Sequence, residues 1–526
     1  FSEGDTLRLK GIVVNSHRPL QFSLLRLLLM LIIPALAYLL RRGSRFRQEE
    51  LSYPCRRADL AALILGLILL LPSVVLTVAN ENAWENEYFR PYQQLSEAFA
   101  AGQLSLVETP PAALAELENP YDFTARTAAG LQMDTDYLWD TAWYRGKYYV
   151  YFGVIPCLLF YFPYYLLLGK HLSDAAMVIF CAVFCYSGIW LCLREYLIRK
   201  EKKLPAGVPL ILTALVYLGS GMMTDLGAPN AHNIPRDLGL VLILWGLFLW
   251  QRSLSAGGKK RGALLAAGSL LMALAVGCRP NLALYSFLAL PLFYKAWKEA
   301  GGLRKKEGLS LLGELLLPYV PVALGLMIYN ALRFGSPFDF GMSYNLTVRD
   351  YSHNNVFSDR IAVGIWEYLF RPAQTEPQFP FLGDVGFAKL NPLGQGSFYY
   401  TAGYGGLFAC NILMFFLPGL CTGNKKNGEG LWLLGLSFVN MIANICLGGV
   451  AYHYRVDFAA EMLLAAAIGA LEIHGECGKK GKEVTESILL LALALSWLYH
   501  IRFAWTGGLA EGNTELYYRL FYAMRI

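Results

Sequence analysis

The chain has 526 residues, of which 56% are hydrophobic and only 16% charged, with a formal net charge of +6 and a mean hydropathy of +0.39. A soluble chain of ordinary composition carries about 25% charged residues, so a string of soluble domains is excluded and one membrane body is expected. The basic excess sits in short loops between apolar runs, a distribution that sets orientation in a bilayer and does not suit a nucleic-acid partner.

Residues 1–21 are polar, and Thr6 to Asn15 alternates like a strand. This stretch is read as the remnant of an outer segment, ahead of a membrane domain over 22–526. Apolar runs close to the ~20 residues that cross a ~30 Å hydrocarbon core follow at 22–40, 60–79, 174–194, 206–224, 237–251, 262–277, 282–296, 311–331, 399–418, 430–449, 457–474 and 485–503. The predicted fold class is therefore all-α and polytopic, with about 12 transmembrane helices.

Orientation follows from the loops. Arg41, Arg42, Arg45, Arg47, Arg56 and Arg57 follow the first run, and Lys/Arg clusters recur at 199–203, 259–261, 304–306, 425–426 and 479–482. The positive-inside rule places all of these in the cytoplasm. Two long loops, about 80–173 and 332–398, then lie outside. The first is acidic, and its end, Tyr148 to Gly169, is apolar, aromatic and interrupted by Pro156 and Pro163. Counting that end as a span would invert every later loop, so it is predicted to be a helix lying in the outer interface. Cys181, Cys185, Cys192, Cys410 and Cys446 fall inside apolar runs, and no cysteine pair shows disulfide or zinc spacing. There is no P-loop and no His-Glu-x-x-His motif.

Residues capable of chemistry concentrate on the outer side. Glu81, Glu85 and Glu87 follow the second run, where a carboxylate at a membrane surface can accept a hydroxyl proton; a plain solvated acidic loop reads the same way. Asp134, Asp136 and Asp140 lie among Tyr137, Trp139, Trp143, Tyr144, Arg145, Lys147, Tyr148 and Tyr149. Aromatic faces suit sugar rings, and cations suit phosphate, although an aromatic belt with solvated charges is an equal reading. Arg279, in Gly277-Cys278-Arg279-Pro280-Asn281, sits at an outer turn between two short spans, where it can hold a lipid-linked phosphate or snorkel to ordinary headgroups. His232 with Arg236, and Tyr452-His453-Tyr454-Arg455-Val456-Asp457, occupy two further outer turns. Asn345-Leu346-Thr347 matches a glycosylation sequon, a pattern of low specificity.

The order of these motifs resembles the GT-C superfamily of membrane glycosyltransferases, in the layout of protein O-mannosyltransferases and aminoarabinose transferases. Trp84-Glu85-Asn86-Glu87-Tyr88, followed by Leu95 to Leu104, resembles that family's Asp-Glu-x-x-Tyr segment and its following helix. Tyr149-Val150-Tyr151-Phe152-Gly153-Val154-Ile155-Pro156 through Leu168-Gly169 resembles its proline-rich interfacial stretch. Gly277-Cys278-Arg279-Pro280 resembles the turn between its paired helices, with Arg279 in place of a Lys. Tyr454-Arg455-Val456-Asp457 resembles its late Arg-Tyr motif in reversed order. The likeness covers roughly residues 60–475, with Glu where the family usually shows Asp at the first acidic position.

The resemblance implies a GT-C-like helix arrangement and transfer of a monosaccharide from a polyprenyl-phosphate carrier to a cell-envelope glycan, lipid or protein, with inversion, at a bacterial plasma membrane. It implies Glu85, Glu87 or Asp140 as the base. Glu81, Asp136, Trp143, Lys147, Tyr149, His232, Arg279 and Arg455 become the expected substrate-binding set, with no cofactor and no obligatory metal. The rivals are a transporter or lipid flippase and a non-catalytic envelope assembly protein. The transporter predicts charged residues within the spans and a pseudo-repeat, neither of which the sequence reading finds.

Overall fold

The computed structural model describes residues 38, 41, 43–79, 90–353, 360–373, 405–422 and 426–506. The 1–21 segment, nearly all of the 22–40 run, the three glutamates Glu81, Glu85 and Glu87, and the whole 374–404 stretch lie outside the described residues.

Among the described residues, six apolar stretches are long enough to cross a bilayer: Arg56–Val75, Asp174–Arg199, Ile234–Leu254, Gly258–Cys278, Lys306–Phe334 and Gly428–Gly448. The protein is thus an integral membrane protein. Its main helices are α1 (Arg56–Ala79), α2 (Pro91–Ala100), α3 (Phe162–Leu168), α4 (Asp174–Arg199), α5 (Gly207–Gly219), α6 (Met222–Gly227), α7 (Ile234–Leu254), α8 (Gly258–Cys278), α9 (Ala289–Glu299), α10 (Lys306–Leu316), α11 (Tyr319–Phe334), α12 (Gly428–Gly448), α13 (Ala459–Glu476) and α14 (Lys479–Thr506). Of the other expected spans, those within the described residues coincide with shorter, broken or more polar helices. The 206–224 run divides into α5 and α6 at Gly221, whose φ of 99° is open to glycine. The 282–296 run begins as a 3-10 helix, Pro280–Leu288, before α9.

The interfacial segment folds as a π turn, Cys157–Tyr161, running into α3. At ~1.5 Å rise per residue it is too short to cross a ~30 Å core. One side stacks on α2, with the Tyr92 and Tyr161 rings 5.1 Å apart. The other side leaves Leu158, Leu159, Leu166, Leu167 and Leu168 exposed, as a helix half-sunk in lipid requires.

Contacts sort the loops onto two ends of the bundle. At one end β1 (Glu50–Ser52) pairs antiparallel with β4 (Lys203–Pro205). Arg47 meets Glu486 at 3.2 Å, Arg199 meets Glu429 at 2.6 Å and Lys202 meets Glu472 at 2.9 Å. At the other end the Asn119 side-chain amide donates to Asp350 at 2.7 Å. There too the Arg333 guanidinium donates to the Val150 carbonyl at 2.5 Å. The basic loops of Arg47, Arg199 and Lys202 thus share one end with the segments around Glu429, Glu472 and Glu486, and the acidic, aromatic loops meet at the other.

One expectation needs correction. Charged residues do lie within the helices: Glu195, Asp237 and Glu461 are each no more than 1% exposed. Glu195 lies within 3.2 Å of Arg194 and 3.5 Å of Arg252, so it belongs to the basic end. Asp237 and Glu461 belong to the opposite end, beneath the site described next.

Candidate active site

The first long loop presents its acid through a short hairpin. β2 (Ala142–Tyr144) and β3 (Lys147–Tyr149) pair antiparallel around Arg145 and Gly146, with φ of 50° and 74°, the geometry of a two-residue turn that matches strand twist. Just before β2, Asp140 takes a left-handed φ of 53°, which Asp tolerates better than most residues. Its backbone N–H donates to the Leu346 carbonyl at 3.1 Å, and the Leu346 N–H donates to Thr141 at 2.9 Å. This pins residues 140–141 to the second long loop.

Asp140 is 7% exposed and is surrounded by donors. His232 Nε2 lies 2.6 Å from Oδ2, while the Tyr151 hydroxyl and the Asn345 amide donate to Oδ1 at 3.1 and 2.8 Å. Burial pushes the carboxyl upward, but the His232, Asn345 and Tyr151 hydrogen bonds outweigh it and hold the group below the ordinary carboxylate range.

His232 arrives on a turn stabilised by asparagines. Asn230 Oδ1 accepts the His232 N–H at 3.0 Å, and the Asn230 and Asn233 amides donate to the Ala228 carbonyl at 3.0 and 3.1 Å. Pro235 then opens α7, where its missing N–H loses nothing.

Below this pair is a layer of charge. Arg279, just past α8, places Nε 3.1 Å from Asp457 Oδ2, and its Nη2 donates to Asn444 at 3.1 Å. The guanidinium lies 5.3 Å from the centre of the Tyr454 ring, and that of Arg236 lies 5.9 Å from the same ring. Tyr454 is also within electrostatic range of Asp140.

Residues 151–153 tie the two levels together. Tyr151 bonds Asp140, Phe152 meets His232 edge-to-face at 5.4 Å, and Gly153 rests on the turn carrying Arg279. A Cβ on Gly153 would sit 2.1 Å from the Cys278 carbonyl oxygen and 2.3 Å from that of Gly277. Backbone cannot swing aside as a side chain can, so Gly153→Ala is expected to cost at least ~1–3 kcal/mol, the usual range for overpacking. A lowered melting temperature in detergent would show it, and an unchanged one would mean that the two levels are not coupled through this contact.

An apolar groove of about 610 Å³ opens beside this junction, lined by Val154, Ile155, Leu158, Leu270, Leu274 and Leu326 among others. It lies between the interfacial segment and the spans α8 and α11.

The expected site residues therefore divide. Asp140, His232 and Arg279 come together around Tyr151, Phe152 and Tyr454. Trp143 belongs to a rim of rings, 6.2 Å from Tyr121, and Tyr149 packs 5.5 Å from Phe334. Lys147 is exposed on the hairpin. Asp136 is exposed and accepts the Gln132 N–H at 2.8 Å. Arg455 is 2% exposed, donates to the Gly405 carbonyl at 3.1 Å and lies 4.7 Å from the Tyr452 ring centre. Asn345, Tyr151, Gly153 and Asp457 join the site without having been singled out for it. The one local signal at Asn345 was the sequon, and the buried amide is committed to Asp140 instead.

No family model and no curated protein matches the sequence. Solved structures similar to this chain include the oligosaccharyltransferase of Archaeoglobus fulgidus in its apo form, at 12% identity and a TM-score of 0.47, over 88% of this chain and 60% of that one. Another is the oligosaccharyltransferase AglB of the same organism in complex with an inhibitory peptide and a dolichol-phosphate, at 12% identity and a TM-score of 0.45, over 88% and 59%. This chain spans about three fifths of the length of those proteins, and a likeness of that degree assigns no activity.

Proposed function

We propose that the protein is a membrane glycosyltransferase that moves a monosaccharide from a polyprenyl-phosphate carrier to a cell-envelope acceptor on the outer face of a bacterial plasma membrane, with inversion at the anomeric carbon. The observation that carries this reading is that a pinned Asp140–His232 pair and a partly exposed guanidinium, Arg279, are joined through adjacent residues: Phe152 packs on His232, and Gly153 lies against the carbonyls of Gly277 and Cys278 just before Arg279. Sugar transfer from a phosphate needs both parts: a group that removes the acceptor's proton, and a cation where charge develops on the leaving phosphate. Arg279 is 24% exposed whereas Arg236 is nearly sealed and 3.9 Å from Asp225, so Arg279 is the phosphate ligand and Arg236 backs it. The groove beside Gly277 suits an isoprenoid tail, since Leu, Ile and Val walls bury methylenes at about 0.8 kcal/mol each. Glu85 and Glu87 remain proposed members of the site at the mouth of the same loop.

The deciding experiment is transfer from a radiolabelled polyprenyl-phosphate hexose to membrane acceptors by the full chain in proteoliposomes. Turnover that needs the phosphate-linked donor supports the reading, and no turnover with any of several donors sinks it. A transporter is the second reading, favoured by the buried Asp237 and Glu461, and it would be supported by substrate flux across vesicles without any new glycosidic bond. Either reading requires the site end to face out. In a Cys421→Ser background, Lys147→Cys is expected to react with an impermeant thiol reagent in intact cells, and Lys480→Cys only after permeabilisation.

A further inference from the structure

We propose that the basic end of the bundle carries a binding site for a phosphate ester that also bears a hydroxyl, with glycerol phosphate, free or as a lipid headgroup, as the simplest case. The site is independent of the transferase reading above, which concerns the opposite end. A cavity of about 690 Å³ opens here, lined by Arg47, Glu50, His474, Lys479, Lys482 and Glu486 among others. It stands at the corner where α13 ends and α14 begins.

The start of α14 points to the phosphate. The Lys482 N–H donates to the Gly478 carbonyl at 3.0 Å, so the N–H groups of Lys479, Lys480 and Gly481 before it have no partner within the helix. A helix N-terminus favours an anion. This first turn contains no acidic residue and holds Lys479, Lys480 and Lys482 instead. Cations at the positive end of a helix are unfavourable, and a phosphate among them reverses the sign of the interaction. The acids of the cavity are already engaged or turned to solvent. Glu486 is met by Arg47 at 3.2 Å, Glu50 lies 4.0 Å from Lys482, and Glu483 is exposed.

His474, in the last turn of α13, points to the hydroxyl. It is fully buried, its Nε2 lies 3.2 Å from Glu486 Oε1, and its Nδ1 has no hydrogen-bond partner among the described residues. Glu486 accepts from Arg47 as well, so the Nε2–H of His474 donates to it and Nδ1 keeps its lone pair. A buried acceptor without a donor is costly. An ionised phosphate ester has no hydrogen to give it, whereas a hydroxyl on the same ligand does.

The test titrates the purified full chain at pH 8, where a phosphate monoester has lost both protons, with sn-glycerol 3-phosphate and with methyl phosphate, which has no hydroxyl. Glycerol 3-phosphate is expected to bind ~3–10-fold more tightly, the worth of one hydrogen bond. His474→Phe is expected to abolish that preference and keep methyl phosphate binding. Lys479→Glu, a change to an exposed side chain, is expected to weaken both esters by ~10-fold or more, as loss of a charged hydrogen bond does. Lys306→Glu, on another basic loop, should leave both unchanged. A second arm compares melting in phosphatidylcholine vesicles with and without phosphatidylglycerol. Stabilisation by phosphatidylglycerol that Lys479→Glu removes makes a lipid headgroup the source, and ester binding without it makes the source a soluble ester; both support the site. Failure of both esters and of the lipid overturns the proposal, as does an equal loss in Lys306→Glu, which marks general charge. Equal affinity for the two esters also overturns it, since water then meets Nδ1. Should His474→Phe not fold, the ester preference and the two lysine variants still decide.

Discussion

Asp140→Asn is expected to reduce transfer by ~10³-fold or more while leaving the membrane bundle assembled. The magnitude adds the loss of the anion of the pair proposed to remove the acceptor's proton, a contribution worth ~10²–10⁴, to a rearranged hydrogen-bond set. His232 Nε2, the Asn345 amide and the Tyr151 hydroxyl all donate toward Asp140. Asparagine offers one acceptor oxygen and two N–H donors, so in this buried cluster either a donor faces another donor or His232 must give up its Nε2–H and change tautomer. A buried group left unsatisfied costs about 1–3 kcal/mol, a local loss beside the helix bundle. The pH dependence has a definite sign. Because the hydrogen bonds overcome burial and hold the folded Asp140 below the ordinary carboxylate value, its stabilising contribution is full above the unfolded value of about 3.9 and is lost only as pH falls through the lower folded value. The melting-temperature difference between the intact protein and Asp140→Asn should therefore stay level from pH 8 to about 5 and narrow only under stronger acid. A difference that closes between pH 7 and 5 would show that the group is protonated in that range and cannot support the imidazole.

Much of the architecture was legible because membrane insertion is governed by quantities that a sequence displays locally. Apolar run length located the long spans, and Lys/Arg clusters sorted the loops, which the ion pairs of Arg47, Arg199 and Lys202 now gather at one end. That the 148–169 stretch forms no full span was legible from its prolines, and the helical pieces Cys157–Tyr161 and Phe162–Leu168 are too short to be one. Helix breaks were harder to see. Gly221 and the 3-10 turn after Arg279 interrupt runs that read as continuous, because the backbone there is set by tertiary contacts: a Cβ on Gly221 would meet Val456 Cγ2 at 2.8 Å, a neighbour far along the chain.

The site was legible in its residue types and not in its pairings. Asp140, His232 and Arg279 stood out as chemically capable groups at outer turns. The partners that give them roles come from distant segments: His232 is 92 residues from Asp140, Asn345 is 205 residues away, and Asn444 is 165 residues from Arg279. No periodicity encodes such separations. Asn345 shows the point most plainly, since its only local pattern suggested a surface glycosylation acceptor whereas the folded chain buries its amide against a carboxylate. The charges within helices were missed for a related reason. Asp237 reads as the end of the Asp225–Asp237 loop, whereas Glu461 lies inside the 457–474 run and is passed over there; only the fold shows both sealed beneath the site.

Arg279→Gln is expected to remove both transfer and a large part of the stability, and a second substitution should separate the two. Asp457 is fully buried, and Arg279 is its ion-pair partner at 3.1 Å. Removing one member of a buried pair typically costs 3–5 kcal/mol, because the other charge is left uncompensated; with Arg279 partly exposed, about 3 kcal/mol is the expected order. Asp457→Asn in the same chain removes the stranded charge, so Arg279→Gln/Asp457→Asn should melt well above Arg279→Gln alone, with a coupling of ~0.5–3 kcal/mol in the double-mutant cycle. Activity should not follow. If the guanidinium meets the leaving phosphate, its loss costs ~10²–10³-fold in turnover, as for other groups aimed at developing negative charge, and neutralising Asp457 restores no cation. Stability rescued without transfer therefore places Arg279 at the reacting phosphate. Stability and transfer rescued together would reduce Arg279 to a counter-ion for Asp457 and leave the phosphate to be held elsewhere, with Arg236, on the other approach to Tyr454, the next residue to replace.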